Sequence, residues 1–207
     1  MEPESRHQCL IYEGPPSQKL PLIAAILQRK LQEGYRCLYL NSTPMVAGMA
    51  STLAALGVDV AFEVKKTNLV LSSEPVSTNE VFKSEVMLRQ LDDTLNQALN
   101  DGYKGLWASG DMTWEFGPAK DFSELMEYEL GLEELFSKRK ELSGVCQYHK
   151  DTLPQEAMRQ CLLVHPGFVI SETLTRINPH YLNSSWRVDN YGLDKTIAAL
   201  CAMRDNG

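Results

Sequence analysis

A chain of 207 residues and 23.3 kDa is the length of one domain, long enough to bury about 70% of the surface that its unfolded form exposes. With 43% hydrophobic and 23% charged residues, it has ordinary globular usage, which excludes disorder and collagen-like fibres. The formal charge of -7 has the wrong sign for neutralising nucleic-acid phosphates or anionic lipid, so neither nucleic acid nor a membrane is an expected direct partner.

His7 to Tyr12 is a short apolar run that stops at Glu13, Gly14, Pro15 and Pro16, which reads as strand then turn. Leu20, Ile23, Leu27 and Leu31 follow at helical spacing, with Pro21 in the first turn and Gly34 beyond the end. The grammar repeats. Arg36 to Leu40 is a second strand, Asn41 to Thr43 are turn and cap residues, and a helix after Pro44 carries Val46, Met49, Leu53 and Leu56. Val58 to Val64 and Asn68 to Ser72 read as a pair of extended pieces. A long helix spans Glu80 to Asn100, with Ser84, Leu88, Leu91, Leu95 and Ala98 on one stripe. Lys104 to Ala108 is the next strand. A helix opening near Ser123 turns Leu125, Tyr128, Leu132 and Leu135 inward, with its acids early and Lys138, Arg139 and Lys140 late, as the helix dipole favours. Val145 to Tyr148 is a strand, Pro154 to Val164 a helix, Gly167 to Ser171 a strand, and Leu193 to Met203 a terminal helix.

Strands that alternate with long helices call for a mostly parallel sheet covered on both faces, because each crossover must return the chain in the same direction. The expectation is one α/β domain over residues 1–207. No apolar run approaches the ~20 residues that span a bilayer, and Met1 to Gln8 carries charges where a signal peptide has its apolar core. A cytoplasmic location is expected. The five cysteines, Cys9, Cys37, Cys146, Cys161 and Cys201, are odd in number and sit mostly in apolar runs, which suits free buried thiols.

Parallel α/β sheets bind ligands at the carboxyl ends of their strands. That rule nominates the turns at Tyr12 to Pro16, Asn41 to Thr43, Ser109 to Glu115 and Gln147 to Lys150. The first turn, with Glu13, Gly14 and Lys19, stands where a phosphate-binding loop would be. It lacks a glycine directly before the lysine and a Ser or Thr after it, and its two prolines remove amide donors. Asp111 stands where a magnesium-binding acid would follow the fourth strand, without that Ser or Thr as companion. Trp114 either roofs a pocket at this edge or covers the core. His7-x-Cys9, Cys146-x-x-His149 and Cys161-x-x-x-His165 bring together ligand types that zinc uses, but their spacing points to buried thiols and a structural histidine, so no metal is expected. There is no nucleophile elbow, and no catalytic residue is assigned.

Taken in order, His7-x-Cys9-x-Ile11-Tyr12, Gly110-Asp111-Met112-x-Trp114, Glu127-Tyr128-Glu129, Cys146-Gln147-Tyr148 and His165-Pro166 resemble the MEDS family, the methanogen and methylotroph sensory domain typified by a dichloromethane-responsive regulator. The match runs from about His7 to Tyr181, leaving 182–207 as a C-terminal extension. The resemblance implies a three-layer RecA/KaiC-like fold of the P-loop NTPase type with a degenerate P-loop. It further implies a sensor of small organic, hydrocarbon-derived molecules rather than an ATPase. Family members usually carry Glu where this chain has Asp111. Many are fused to a kinase or DNA-binding region, so the expected output here is through a signalling partner, a kinase or transcription regulator, in trans. RecA-like domains often form homo-oligomers.

The expected site has Tyr12, Trp114 and Tyr148 as aromatic walls and Asp111, Glu115, Gln147 and His149 as orienting polar groups, with Gly14 and Asn41 at its rim. No cofactor is expected. The competing readings are a RecA-like nucleotide-binding protein or weak ATPase that uses Lys19 and Asp111, and a ligand-free signalling scaffold.

Overall fold

The computed structural model describes residues 6–73, 83–115, 125–182 and 190–202, with the side chains of 114, 115 and 190–194 excepted. The first strand, β1 (His7–Tyr12), is buried along its whole length, as a central strand covered on both faces must be. A single 3-10 turn at Pro16–Lys19 leads into α1 (Leu20–Gln32), with Pro21 in its first turn, where the missing N–H costs nothing. β2 (Arg36–Leu40) and α2 (Thr43–Ala55) follow.

Val58 to Val64 is not extended. It contains α3 (Val60–Lys65), capped by Asp59, whose carboxylate accepts the Phe62 amide at 3.0 Å. The cap outweighs the β-branched residues that made the segment look like a strand. β3 (Leu69–Ser72) and α4 (Ser84–Asn100) come next, then β4 (Leu106–Asp111), the short α5 (Met112–Glu115), α6 (Leu125–Lys138) and β5 (Leu142–His149). The chain continues through α7 (Gln155–Val164), β6 (Gly167–Val169), β7 (Thr175–Ile177) and α8 (Asn190–Ala202). Ser123 and Glu80, expected near two helix starts, and Met203, at a helix end, lie outside the described residues.

The seven strands form one sheet in the order β3-β2-β4-β5-β1-β6-β7. Every pairing is parallel except that of β7, which returns antiparallel along β6. Helices pack on both faces. On one, Leu10, Tyr12, Cys37, Tyr39, Trp107 and Val145 of the sheet meet Ile23, Leu27, Met49 and Leu53 of α1 and α2. On the other, Cys9, Ile11, Cys146 and Tyr148 meet residues of α4, α6, α7 and α8 such as Leu95, Phe136, Leu162 and Leu200. All five cysteines are free and buried. No helix of the described residues is long and apolar enough to cross a membrane.

Candidate functional site

Side chains alternate across a strand, so the α1/α2 face receives Tyr12 from β1, Tyr39 from β2 with Asn41 after it, Ser109 and Asp111 from β4, and Gln147 and His149 from β5. These meet at the carboxyl edge as a buried polar network. The Tyr12 hydroxyl donates to Asp111 Oδ2 at 3.1 Å, and the Tyr12 ring stacks on His149 at 4.9 Å. Asn41 donates to the Tyr39 hydroxyl at 3.0 Å, while Gln147 donates to Ser109 Oγ at 2.9 Å, which in turn donates to the Val145 carbonyl. Burial first, and the Asp111 carboxylate second, push the Tyr12 phenol well above its ordinary range, so it remains a proton donor. The edge is therefore filled by its own hydrogen bonds, and Asp111 is only 5% exposed. Tyr39 and Ser109 belong to this network: Ser109 opens the nominated turn Ser109 to Glu115, whereas Tyr39 had only its two-residue offset from Asn41 to signal it.

The loop after β1 is closed by the turn after β5. Gly14, at φ +74°, donates its amide to Asp151 Oδ2 at 2.8 Å, and its carbonyl accepts from His149 Nε2 at 2.9 Å. The other nitrogen of His149 then accepts from the Thr152 hydroxyl at 3.1 Å. Lys150 pairs with Glu13 at 2.7 Å, and this hydrogen bond holds its ammonium above the ordinary range. A carboxylate of the chain itself thus occupies the amide that a phosphate oxygen would take. Lys19 ends the 3-10 turn, one residue before α1.

Tyr148 does not share this face. It points into the opposite core, where its hydroxyl donates to Glu129, so it cannot be a wall beside Tyr12. The backbone of Trp114 and Glu115 lies in α5, while their side chains lie outside the described residues. On that opposite face, between the ends of β2, β3 and β4 and the helices α4 and α6, lies a cavity of about 440 Å³. Leu38, Leu40, Val70, Met87, Leu91 and Leu132 give it apolar walls, and Ser72, Gln90, Asp93, Thr94 and Gln97 bring polar groups to it. No motif marked this cavity. It arises where the Met87, Leu91 and Thr94 side of α4 lies over the ends of β2, β3 and β4, an arrangement that no local pattern encodes. Metal-ligand types assemble away from the edge, in the buried core of the same face, where one member of each Cys/His pair, His7, Cys146 and His165, meets Glu129.

Fold and site together define a layered α/β domain with a mostly parallel sheet, a self-occupied first loop and an apolar cavity near the strand ends. The chain belongs to the MEDS family, the "MEthanogen/methylotroph, DcmR Sensory domain", whose model matches residues 6–166. The family is one of sensory domains. A search of curated proteins finds no match. Among solved structures, the chain is similar to an uncharacterized protein from Pyrococcus horikoshii crystallised in complex with an unknown peptide. The two share 13% identity at a TM-score of 0.55, over 84% of this chain and 82% of that one. At that identity the likeness speaks to the fold alone.

Proposed function

We propose that the chain is a non-catalytic cytoplasmic sensory domain that binds one small, largely apolar organic molecule and signals through a partner protein, a kinase or transcription regulator. The cavity of about 440 Å³ carries this reading. Its size falls within the ~300–1,000 Å³ of small-molecule sites, and walls of Leu, Val and Met with a few polar groups suit a hydrocarbon-derived ligand. The ligand sits under α4 rather than among Tyr12, Gln147 and His149, whose hydrogen-bonding groups are already engaged by Asp111, Ser109, Gly14 and Thr152.

Halomethanes, short alkanols and benzene are suitable probes, read by isothermal titration and thermal unfolding. A true ligand at 100 times its Kd stabilises the fold by ~2.7 kcal/mol, a Tm rise of about 5–10 °C. Leu91→Trp fills the cavity from α4 and is expected to abolish that rise while leaving the circular dichroism unchanged. Tyr12→Phe, on the other face, is expected to retain it. Binding that survives Leu91→Trp, or no binding by any probe at millimolar concentration, would remove the basis for this reading.

A second reading has its own support. A strand, loop and helix carrying Lys19, with the acid-tipped β4 one strand removed from β1, is a layout suited to a RecA/KaiC-like nucleotide-binding sheet. The Asp151 carboxylate on the Gly14 amide and the Tyr12 hydroxyl on Asp111 weigh against a working site. Millimolar ATP with magnesium is expected to leave the protein unliganded in equilibrium dialysis. Magnesium-dependent binding that Lys19→Ala destroys would establish the nucleotide reading instead.

A further inference from the structure

Beneath α6, four side chains from four different elements aim one donor atom each at a common point: His7 of β1, Glu129 of α6, Cys146 of β5 and His165 at the end of α7. All four residues are buried, Glu129 and His165 completely. His165 Nε2 lies 3.3 Å from Glu129 Oε2, His7 Nε2 lies 3.5 Å from the same oxygen, and Cys146 Sγ lies 3.6 Å from His7 Nε2. Zinc bonds of about 2.0–2.1 Å to N and O and ~2.3 Å to S, set at tetrahedral angles, place N and O donors about 3.4 Å apart and an N and S pair about 3.6 Å apart. The three separations match three of the six tetrahedral edges, and all the donor atoms lie within 4.8 Å of one another.

The atoms turned away from the centre are held by other groups. His7 Nδ1 donates to Glu133 Oε2 at 2.8 Å, and Glu133 also accepts from the Tyr181 hydroxyl at 2.6 Å. His165 Nδ1 donates to the Cys161 carbonyl at 2.7 Å, and Glu129 Oε1 accepts from Tyr148. Such outer hydrogen bonds fix the tautomer and present the remaining lone pair to a cation. They also expose a conflict in the bare chain. With its proton on Nδ1, neutral His165 turns its Nε2 lone pair toward Glu129 Oε2, and this buried nitrogen has no hydrogen-bond partner.

We propose that His7, Glu129, Cys146 and His165 form a four-coordinate site for one divalent transition cation of the zinc class. Two imidazoles and one thiolate suit a borderline-soft ion better than magnesium or calcium. One carboxylate and one thiolate balance its charge, so the loaded site is neutral in an apolar core. Each donor falls within a different motif of the family resemblance, although those motifs are scattered from His7 to His165 along the chain. The site rests on its own geometry and is independent of the cavity's ligand.

Because the donors are buried, the cation is expected to enter as the chain folds. The protein is therefore produced in cobalt-supplemented minimal medium and dialysed against metal-free buffer. One equivalent of Co(II) is expected, with tetrahedral d–d absorption and a sulfur-to-cobalt charge-transfer band. Cys146→Ser is expected to lose the charge-transfer band, whereas Cys37→Ala, on the opposite face, keeps it. Glu133→Gln, which removes only an outer partner, is expected to weaken zinc binding by about 10–100-fold in a chelator competition. Should the variants fold poorly, X-ray absorption on the wild type decides, with one sulfur and three N/O neighbours expected. Less than a tenth of an equivalent of metal in the wild type, a shell without sulfur, or a charge-transfer band that survives Cys146→Ser overturns the site.

Discussion

Gly144→Ala is expected to destabilise the domain by about 3 kcal/mol, the upper range for overpacking, and to lower Tm by about 6–12 °C. Gly144 sits in β5 between β4 and β1, paired with Ala108 on one side and His7 on the other. A Cβ built there lies 2.3 Å from the Ala108 carbonyl oxygen and 3.3 Å from Phe136 Cζ. The first obstacle is backbone in the middle of the sheet, so no side-chain rotation relieves it. The second is the ring that stacks on His7 at 4.6 Å, so a retreat by Phe136 would loosen the His7 imidazole. Gly105→Ala, at the start of the same seam, meets the Glu141 carbonyl oxygen at 2.0 Å and is expected to cost as much. Gly57→Ala is the control. At φ +86° with nothing within 4 Å, it pays only left-handed strain of about 1–2 kcal/mol. Urea unfolding of the three variants separates steric exclusion from conformational preference; equal losses at Gly57 and Gly144 would show that the seam can relax.

Where period and punctuation agree, local sequence carried the fold. Ile23 and Leu27 between Pro21 and Gly34 define α1, and the largely apolar run His7 to Tyr12 marks a central strand. Two failures have local causes. In Val58 to Val64 the β-branched residues spoke louder than the Asp59 cap, and Thr175–Ile177 is too short and exposed to show a pattern, with Ile177 67% exposed. Of the expected site, Tyr12, Asn41, Asp111, Gln147 and His149 do converge, because the carboxyl-edge rule and two-residue alternation fix them together. Tyr148 is lost to that same alternation, being one residue out of phase with Gln147 and His149. The cavity and the four-donor cluster were not legible for a different reason. Each is made by elements distant in sequence, and the spacing of His7, Cys146 and His165 gives no hint that β1 and β5 lie side by side with α7 ending against them.

That cluster also dictates how stability responds to acid in chelator-treated protein. His165 takes up its proton near 6.5 in the unfolded chain but only at about 4 in the folded one. Between those values the unfolded state binds more protons, so stability falls as pH drops, by at most ~1.4 kcal/mol per pH unit from this group. Glu129 acts lower. Burial opposes its charge, but His165 and His7 together hold its pKa below the ordinary 4.5, so its contribution is complete above 4.5 and is lost as pH falls through the lowered value. His7 acts on the other side. Burial pushes its imidazole down, but Glu129 and Glu133 hold it above 6.5, so its contribution is full below 6.5 and disappears as pH rises through the raised value. A stability maximum near neutrality follows, with an acid limb between 6.5 and 4.5 that belongs to His165. His165→Gln is expected to flatten that limb in urea midpoints measured from pH 4 to 8, leaving acid loss to begin below about 4.5. Glu129→Ala is expected to remove about 3–5 kcal/mol at pH 6, because it leaves the His7 charge with Glu133 alone and strips the buried Tyr148 hydroxyl of its acceptor. An unchanged acid limb in His165→Gln would mean that the imidazole is already protonated in the folded protein, held by Glu129 as an ion pair rather than facing it as a lone pair.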